Sequence, residues 1–379
     1  MATRNSILRC GYLLPRVLLL WALLDVMLRF APAQWSTFRA SEYAMVTGPH
    51  DMGPYRTNFT YQNPHAYGDL ASLSNCIDCR RYRPMIIHAD GRGFANTQSS
   101  GSYNAILVGD SFGIGAEQPS DATLGSQISQ RTGLSIYNAC WPGRTITREQ
   151  LMELIDQLGM TGGTVFYELM DRSLGSVLSS EEDPAPLRIN QWSKNAEYSP
   201  LANLSRQIVG RLHNGQLMPN PDLANAARKT LPDGQTILFF NEDLQNATPR
   251  KTAFFAKYFR VLNKELHQRG FRLIVILVPS KYTVYQPLIK DARGTNKSKA
   301  MRELENQLDV PVANTTTALQ QAAAEALKHG ELLYWPDDTH WNAEGVRVAA
   351  AQIQSEYLAD FSQRPGIAKV KSVSQKRVR

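Results

Sequence analysis

From residue 103 onward, the hydrophobic positions fall into two alternating kinds of run. Short, almost unbroken apolar stretches over 103–108, 134–138, 164–168, 273–278 and 310–313 predict buried strands, and a briefer one over 237–240 predicts a sixth. Between them, apolar residues recur three and four apart, which predicts helices over 124–131, 147–158, 248–270, 301–308, 315–328 and 343–358. The caps agree with this reading. Thr147 stands before Glu149 and Gln150 as an N-cap, and Thr248 precedes a proline at the first helical position. Phe254, Phe255, Tyr258, Phe259, Leu262 and Leu266 make one apolar face that Gly270 ends, so these aromatics belong to a core. Strand and helix alternating in this way predict an α/β domain around a mainly parallel sheet.

Three stretches break the rhythm. Residues 34–96 are rich in Tyr, Asn, Pro and Arg and predict an extended arm that wraps the domain and ends in a short strand near 85–88. Residues 173–234 are polar with scattered Pro and Gly, and read as an insertion inside a domain spanning 97–362. Residues 363–379 form a basic tail. The first 33 residues read as a targeting segment: Arg4, Arg9 and Arg16 precede an unbroken apolar run over 17–24, with Asp25 interrupting it. Ala31-Pro32-Ala33 offers a cleavage site, while 10–28 is nearly long enough to span a bilayer, so both a signal peptide and an uncleaved anchor are open. Either one exports the body, and the basic N-terminal flank predicts a periplasmic domain held at the inner membrane.

Composition adds bounds rather than identity. The 379 residues are 43% hydrophobic and 20% charged, an ordinary globular balance. The net charge of +7 is spread out and partly terminal, without the basic, aromatic-interleaved stripe of single-strand binders, so no nucleic-acid partner is expected. Of four cysteines, Cys76 and Cys79 are spaced to close a small disulfide in an oxidising compartment. No second pair completes a zinc site, and Cys140 reads as a small buried hydrophobe. No metal or cofactor is expected.

The candidate chemistry lies at two places. The 103–108 run stops at Gly109-Asp110-Ser111, which puts Ser111 at the carboxyl end of a strand, where open parallel sheets carry their sites. Near the other end, Trp335-Pro336-Asp337-Asp338-Thr339-His340-Trp341-Asn342 holds a histidine with two carboxylates just before it. A serine nucleophile, a histidine base and an orienting acid make an acyl-transfer site. Each stretch alone also fits a plain turn or a helix cap. Together, at opposite ends of one α/β pattern, they point to catalysis by Ser111 and His340.

These residues resemble the SGNH (GDSL-like) hydrolase superfamily. Gly109-Asp110-Ser111 is similar to its first motif block, Asn138-Ala139-Cys140-Trp141-Pro142-Gly143 to its second, and Asp337-Asp338-Thr339-His340 to its last. The closer resemblance is to the alginate O-acetyltransferase-like branch, through Asp338-Thr339-His340-Trp341, Pro279-Ser280-Lys281, the lead-in at 90–96 and the N-terminal segment. The resemblance implies a three-layer SGNH-like (flavodoxin-like) domain and O-acetylation of a bacterial exopolysaccharide through an acetyl-serine. It also implies a polysaccharide acceptor and a membrane-bound O-acyltransferase as acetyl source. It makes Ser111 and Gly143 the oxyanion donors and Asp338 the triad acid, with Asp337 the alternative. The third block departs: 165–172 has no asparagine where the family supplies an oxyanion donor. Arg144 and Arg172 are candidates to replace it, and Lys281 and Trp341 are further candidates for substrate contact. A carbohydrate esterase and a non-catalytic assembly subunit are the alternative readings.

Overall fold

The computed structural model describes residues 2–28, 30, 52–74, 76, 78–97, 101–115, 118–143, 145–175, 201 and 226–362. The basic tail, Arg144 and most of the expected insertion therefore lie outside the described residues. A first helix, α1, spans Ala2–Leu28. No helix among the described residues is long and apolar enough to cross a membrane.

The segment expected as an extended arm contains an antiparallel hairpin, β1 (Phe59–Ala66) and β2 (Arg83–Ala89), joined through the short helix α2 (Asp69–Leu73). Alternate positions on both strands are buried, which is why a hairpin forms where the sequence shows little continuous apolar character. Cys76 and Cys79 close a disulfide within its connection.

Strand β3 (Ala105–Val108) leads to a one-turn helix α3 (Ser111–Ile114), then helix α4 (Leu124–Thr132) and strand β4 (Ile136–Asn138). Helix α5 (Arg148–Gln157) carries the capping box of Thr147 and Gln150 and leads into β5 (Gly163–Met170). Two short strands, β6 (Ala226–Thr230) and β7 (Thr236–Phe240), follow. The chain continues through α6 (Pro249–Gln268), β8 (Phe271–Val278), α7 (Lys281–Tyr285), α8 (Lys297–Asn306), β9 (Val312–Asn314), α9 (Thr316–Leu327) and α10 (Ala343–Ser362).

The central sheet runs β4-β3-β5-β8-β9, with every neighbouring pair parallel. Its order is that of a flavodoxin-like sheet, and the switch point lies beside the carboxyl end of β3. The run over 237–240, expected among the sheet strands, pairs instead with β6 in a separate antiparallel hairpin. Alternation along the strands divides the core in two. Leu107, Phe166, Ile274 and Ile276 face Leu124, Ile128, Leu319 and Ile353 from α4, α9 and α10. Ile106, Val165, Val275 and Leu277 face Leu151, Phe259, Leu262 and Met301 from α5, α6 and α8. Each fully buried aliphatic side chain contributes about 1.5–3 kcal/mol, so both layers hold the sheet's carboxyl edge rigid. This is a three-layer α/β fold with a parallel, flavodoxin-like sheet between two layers of helices.

Candidate active site

Strand β3 ends at Val108, and the chain turns through Gly109 and Asp110 into α3. The turn is fixed from both sides. Asp110 Oδ1 accepts the Phe112 N–H at 2.9 Å, capping α3, while the Asp110 N–H donates to Glu168 Oε2 at 2.7 Å. Glu168, near the end of β5, is buried. Burial, then the neighbouring Asp110 carboxylate, pushes its carboxyl well above the usual carboxylate range. It serves as a buried prop under the turn.

Glu168 leaves room only for glycine at position 109. A Cβ there would lie 2.3 Å from Glu168 Oε2 and 2.7 Å from its Cβ. Gly109→Ala is expected to destabilise the protein by about 1–3 kcal/mol, the usual cost of overpacking. The unfolding midpoint in urea reads this directly, and a midpoint equal to that of the parent would refute the tight fit.

Ser111, the first residue of α3, is partly exposed at the sheet's carboxyl edge. Its Oγ is 2.7 Å from His340 Nε2 although 229 positions separate the two residues. His340 Nδ1 lies 2.5 Å from Asp338 Oδ1, and the same carboxylate oxygen accepts the His340 N–H at 2.8 Å. The imidazole and both carboxylates before it are buried. Phe112 packs its ring 4.8 Å from the imidazole and 5.3 Å from Trp341. The turn is pinned by antiparallel pairing of Tyr334 with Trp341, and Asn342 Oδ1 caps α10 by accepting the Glu344 and Gly345 N–H groups. With Nδ1–H donating to Asp338, Nε2 is free to accept the serine proton.

Asp337, the alternative acid, points elsewhere. Its Oδ2 accepts the N–H groups of Gly68 and Arg81, both at 2.8 Å, and its Oδ1 pairs with Arg83 Nη1 at 3.0 Å. Asp337 therefore joins the turn to the hairpin, and Asp338 is the residue on the imidazole. Gly143 sits in a left-handed turn, φ +73°, just after Trp141, whose N–H donates to Gly109 O. That bond holds the second motif block beside the serine turn. Cys140 is buried without a disulfide, and burial pushes its thiol well up, leaving it unreactive.

Two candidate substrate contacts are placed otherwise than expected. Lys281 is fully buried rather than solvated or facing a sugar: helix α7 begins there, and its Nζ donates to the Trp335 carbonyl at 2.9 Å. Desolvation lowers its ammonium to about 8, against the opposing pull of Asp338, Asp69 and Asp337. Trp341 is only 1% exposed and packs against Phe112, the ring that lies on the imidazole, with its carbonyl accepting from Gln118 Nε2. Arg172 pairs with buried Asp243 at 2.7 Å and lies over the Phe240 ring. Its Nε is thus committed to Asp243 rather than to Ser111.

Sequence reasoning missed Asp69 and Arg83. Asp69, Asp338 and His340 bring possible ligand atoms within 4.8 Å of one another. Hydrogen bonds within the turn and to the hairpin already engage those atoms. The grouping is an internal network.

Residues 237–377 match the family model of the SGNH hydrolase-like domain of the acetyltransferase AlgX. No curated protein matches the chain at a significant level. Two solved structures are similar at 9% identity each. One, from Slackia heliotrinireducens and described as an SGNH hydrolase, is covered in full by 68% of this chain with a TM-score of 0.33. The other is an acetyl xylan esterase from the rumen bacterium Butyrivibrio proteoclasticus; the match covers 74% of this chain and 69% of that one, with a TM-score of 0.29.

Proposed function

We propose that this chain, with its SGNH hydrolase-like domain of the AlgX acetyltransferase type, is an exported serine-dependent O-acetyltransferase that modifies a bacterial exopolysaccharide. The observation that carries the reading is the unbroken hydrogen-bonded series Ser111 Oγ, His340 Nε2, His340 Nδ1 and Asp338 Oδ1. His340 takes the Ser111 proton as Oγ attacks the acetyl carbonyl carbon. The N–H groups of Ser111 and Gly143 are the donors assigned to the resulting oxyanion. The donor's leaving group departs with the proton from His340, which leaves an acetyl-serine. A sugar hydroxyl then gives its proton to His340 and attacks the acetyl carbon, and the serine oxygen recovers the proton as it leaves. No step requires a metal or cofactor.

The acetyl source is assigned to a membrane-bound O-acyltransferase, and the site to the periplasm. The arginines before the apolar run at 17–24 support export of the domain.

The test pairs the purified protein with an aryl acetate, with and without oligosaccharides. An acetylated sugar, formed at the expense of free acetate, is the expected result. Acetate release that no sugar alters identifies an esterase instead.

A further inference from the structure

We propose that Asp69, on the N-terminal hairpin, is a positioning residue that sets the tautomer of His340. The inference rests on the triad reading above. The hairpin meets the 337–340 turn backbone to backbone. A Cβ on Gly68 would lie 2.0 Å from the Asp337 carbonyl oxygen, and the Ala71 N–H donates to that oxygen at 3.0 Å. Within this contact Asp69 makes three bonds. Its N–H donates to Asp338 Oδ2 at 2.8 Å, its Oδ1 accepts the Thr339 N–H at 2.7 Å, and its Oδ2 accepts the Thr339 hydroxyl at 2.6 Å.

The third bond acts on the ring together with the Asp338 contact. Thr339 Oγ1 lies 3.2 Å from His340 Nδ1, as well as beside Asp69. A hydroxyl has one proton to give. Were it given to Nδ1, that nitrogen would be an acceptor, the ring proton would sit on Nε2, and Nε2 could not take the proton of Ser111. Asp69 is a carboxylate, which only accepts, so it draws the Thr339 proton away from the ring. Nδ1 must then carry the ring proton itself and donate it to Asp338 Oδ1, 2.5 Å away. Asp338 is fixed in the orientation that receives it. Its Oδ2 is engaged by the Asp69 N–H and by Arg83 Nη2 at 3.4 Å, which keeps Oδ1 turned to the imidazole. The buried Lys281 ammonium, donating to the Trp335 carbonyl, and Arg83 between Asp337 and Asp338 are cations facing the group. Neither bonds to the ring.

Asp69→Asn tests this without changing shape. The amide oxygen still accepts the Thr339 N–H, but the amide nitrogen donates toward Oγ1 and releases the hydroxyl proton to Nδ1. The expected result is a fall in kcat of at least about tenfold with KM within about twofold, in a protein of unchanged circular dichroism. Spectra of protein carrying 15N-histidine should then show His340 moving from the Nδ1–H to the Nε2–H form, assigned by its absence in a His340→Gln sample. Thr339→Val, which deletes the competing hydroxyl, should restore kcat in the Asp69→Asn background to within about threefold. The inference is overturned if Asp69→Asn keeps the parental kcat, or if kcat falls while the imidazole stays protonated on Nδ1. The triad itself is tested apart from this, by whether Ser111→Ala is inactive.

Discussion

Ser111→Ala is expected to lower acetyl transfer by at least about 10³-fold while shifting the melting temperature by less than about 2 °C. Both halves follow from the serine's surroundings. Its Oγ lies against His340 Nε2, at a partly exposed position at the start of a one-turn helix. Alanine suits a helix and keeps the backbone N–H, so the turn survives. Among the described residues the neighbouring nucleophiles do not replace the hydroxyl: Cys140 is buried with its thiol pushed up, and Lys281 is spent on the Trp335 carbonyl. Mass spectrometry of protein quenched during turnover should find one added acetyl group on the parent and none on the variant. Full polymer acetylation by Ser111→Ala would make the chain a non-catalytic assembly subunit. A variant that retains about a tenth of the activity would mean that the serine only helps a direct transfer.

The two ends of the site were legible for different reasons. The strand before Ser111 is a short apolar run cut off by Gly109-Asp110, and a buried parallel strand leaves that trace because both its faces are covered. The His340 turn was legible because its polar residues are contiguous in sequence. What remained hidden depends on contacts across long separations. Asp69 lies 270 positions from Thr339, in a hairpin whose alternation is interrupted by loop-like residues, and nothing local marks it as part of the site. Lys281 follows a strand and looks like a surface lysine; only the packing of the 335–336 carbonyls over it makes it a buried donor. The run over 237–240 has the composition of a sheet strand, yet its partner β6 came from a stretch read as insertion. Composition specifies that a segment is buried, and the pairing partner is a property of the whole fold.

The choice between the two adjacent aspartates yields the second large effect. Asp338→Asn is expected to reduce kcat by about 10³–10⁴-fold with little change in KM, because an amide presents a donor or a weaker acceptor to Nδ1 and favours the wrong ring tautomer. Asp337→Asn should leave kcat within about tenfold and act on stability instead. Its carboxylate is 1% exposed and carries two backbone N–H groups and the Arg83 guanidinium. Neutralising one partner of a buried ion pair strands the other, at a cost of up to about 3–5 kcal/mol. An asparagine oxygen recovers part of that by still accepting one N–H. The pair of variants therefore separates along two axes: Asp338→Asn stays folded and stops turning over, whereas Asp337→Asn turns over and melts several degrees lower. Urea unfolding and initial rates on the same samples measure both. Exchanged behaviour, with Asp337→Asn inactive and Asp338→Asn merely less stable, would assign the acid to Asp337 and require the turn to rearrange when substrate binds. Equal loss of turnover in both would mean that the hairpin contact and the imidazole contact act as one unit, since Arg83 bridges the two carboxylates at 3.0 and 3.4 Å and would then transmit either loss to the ring.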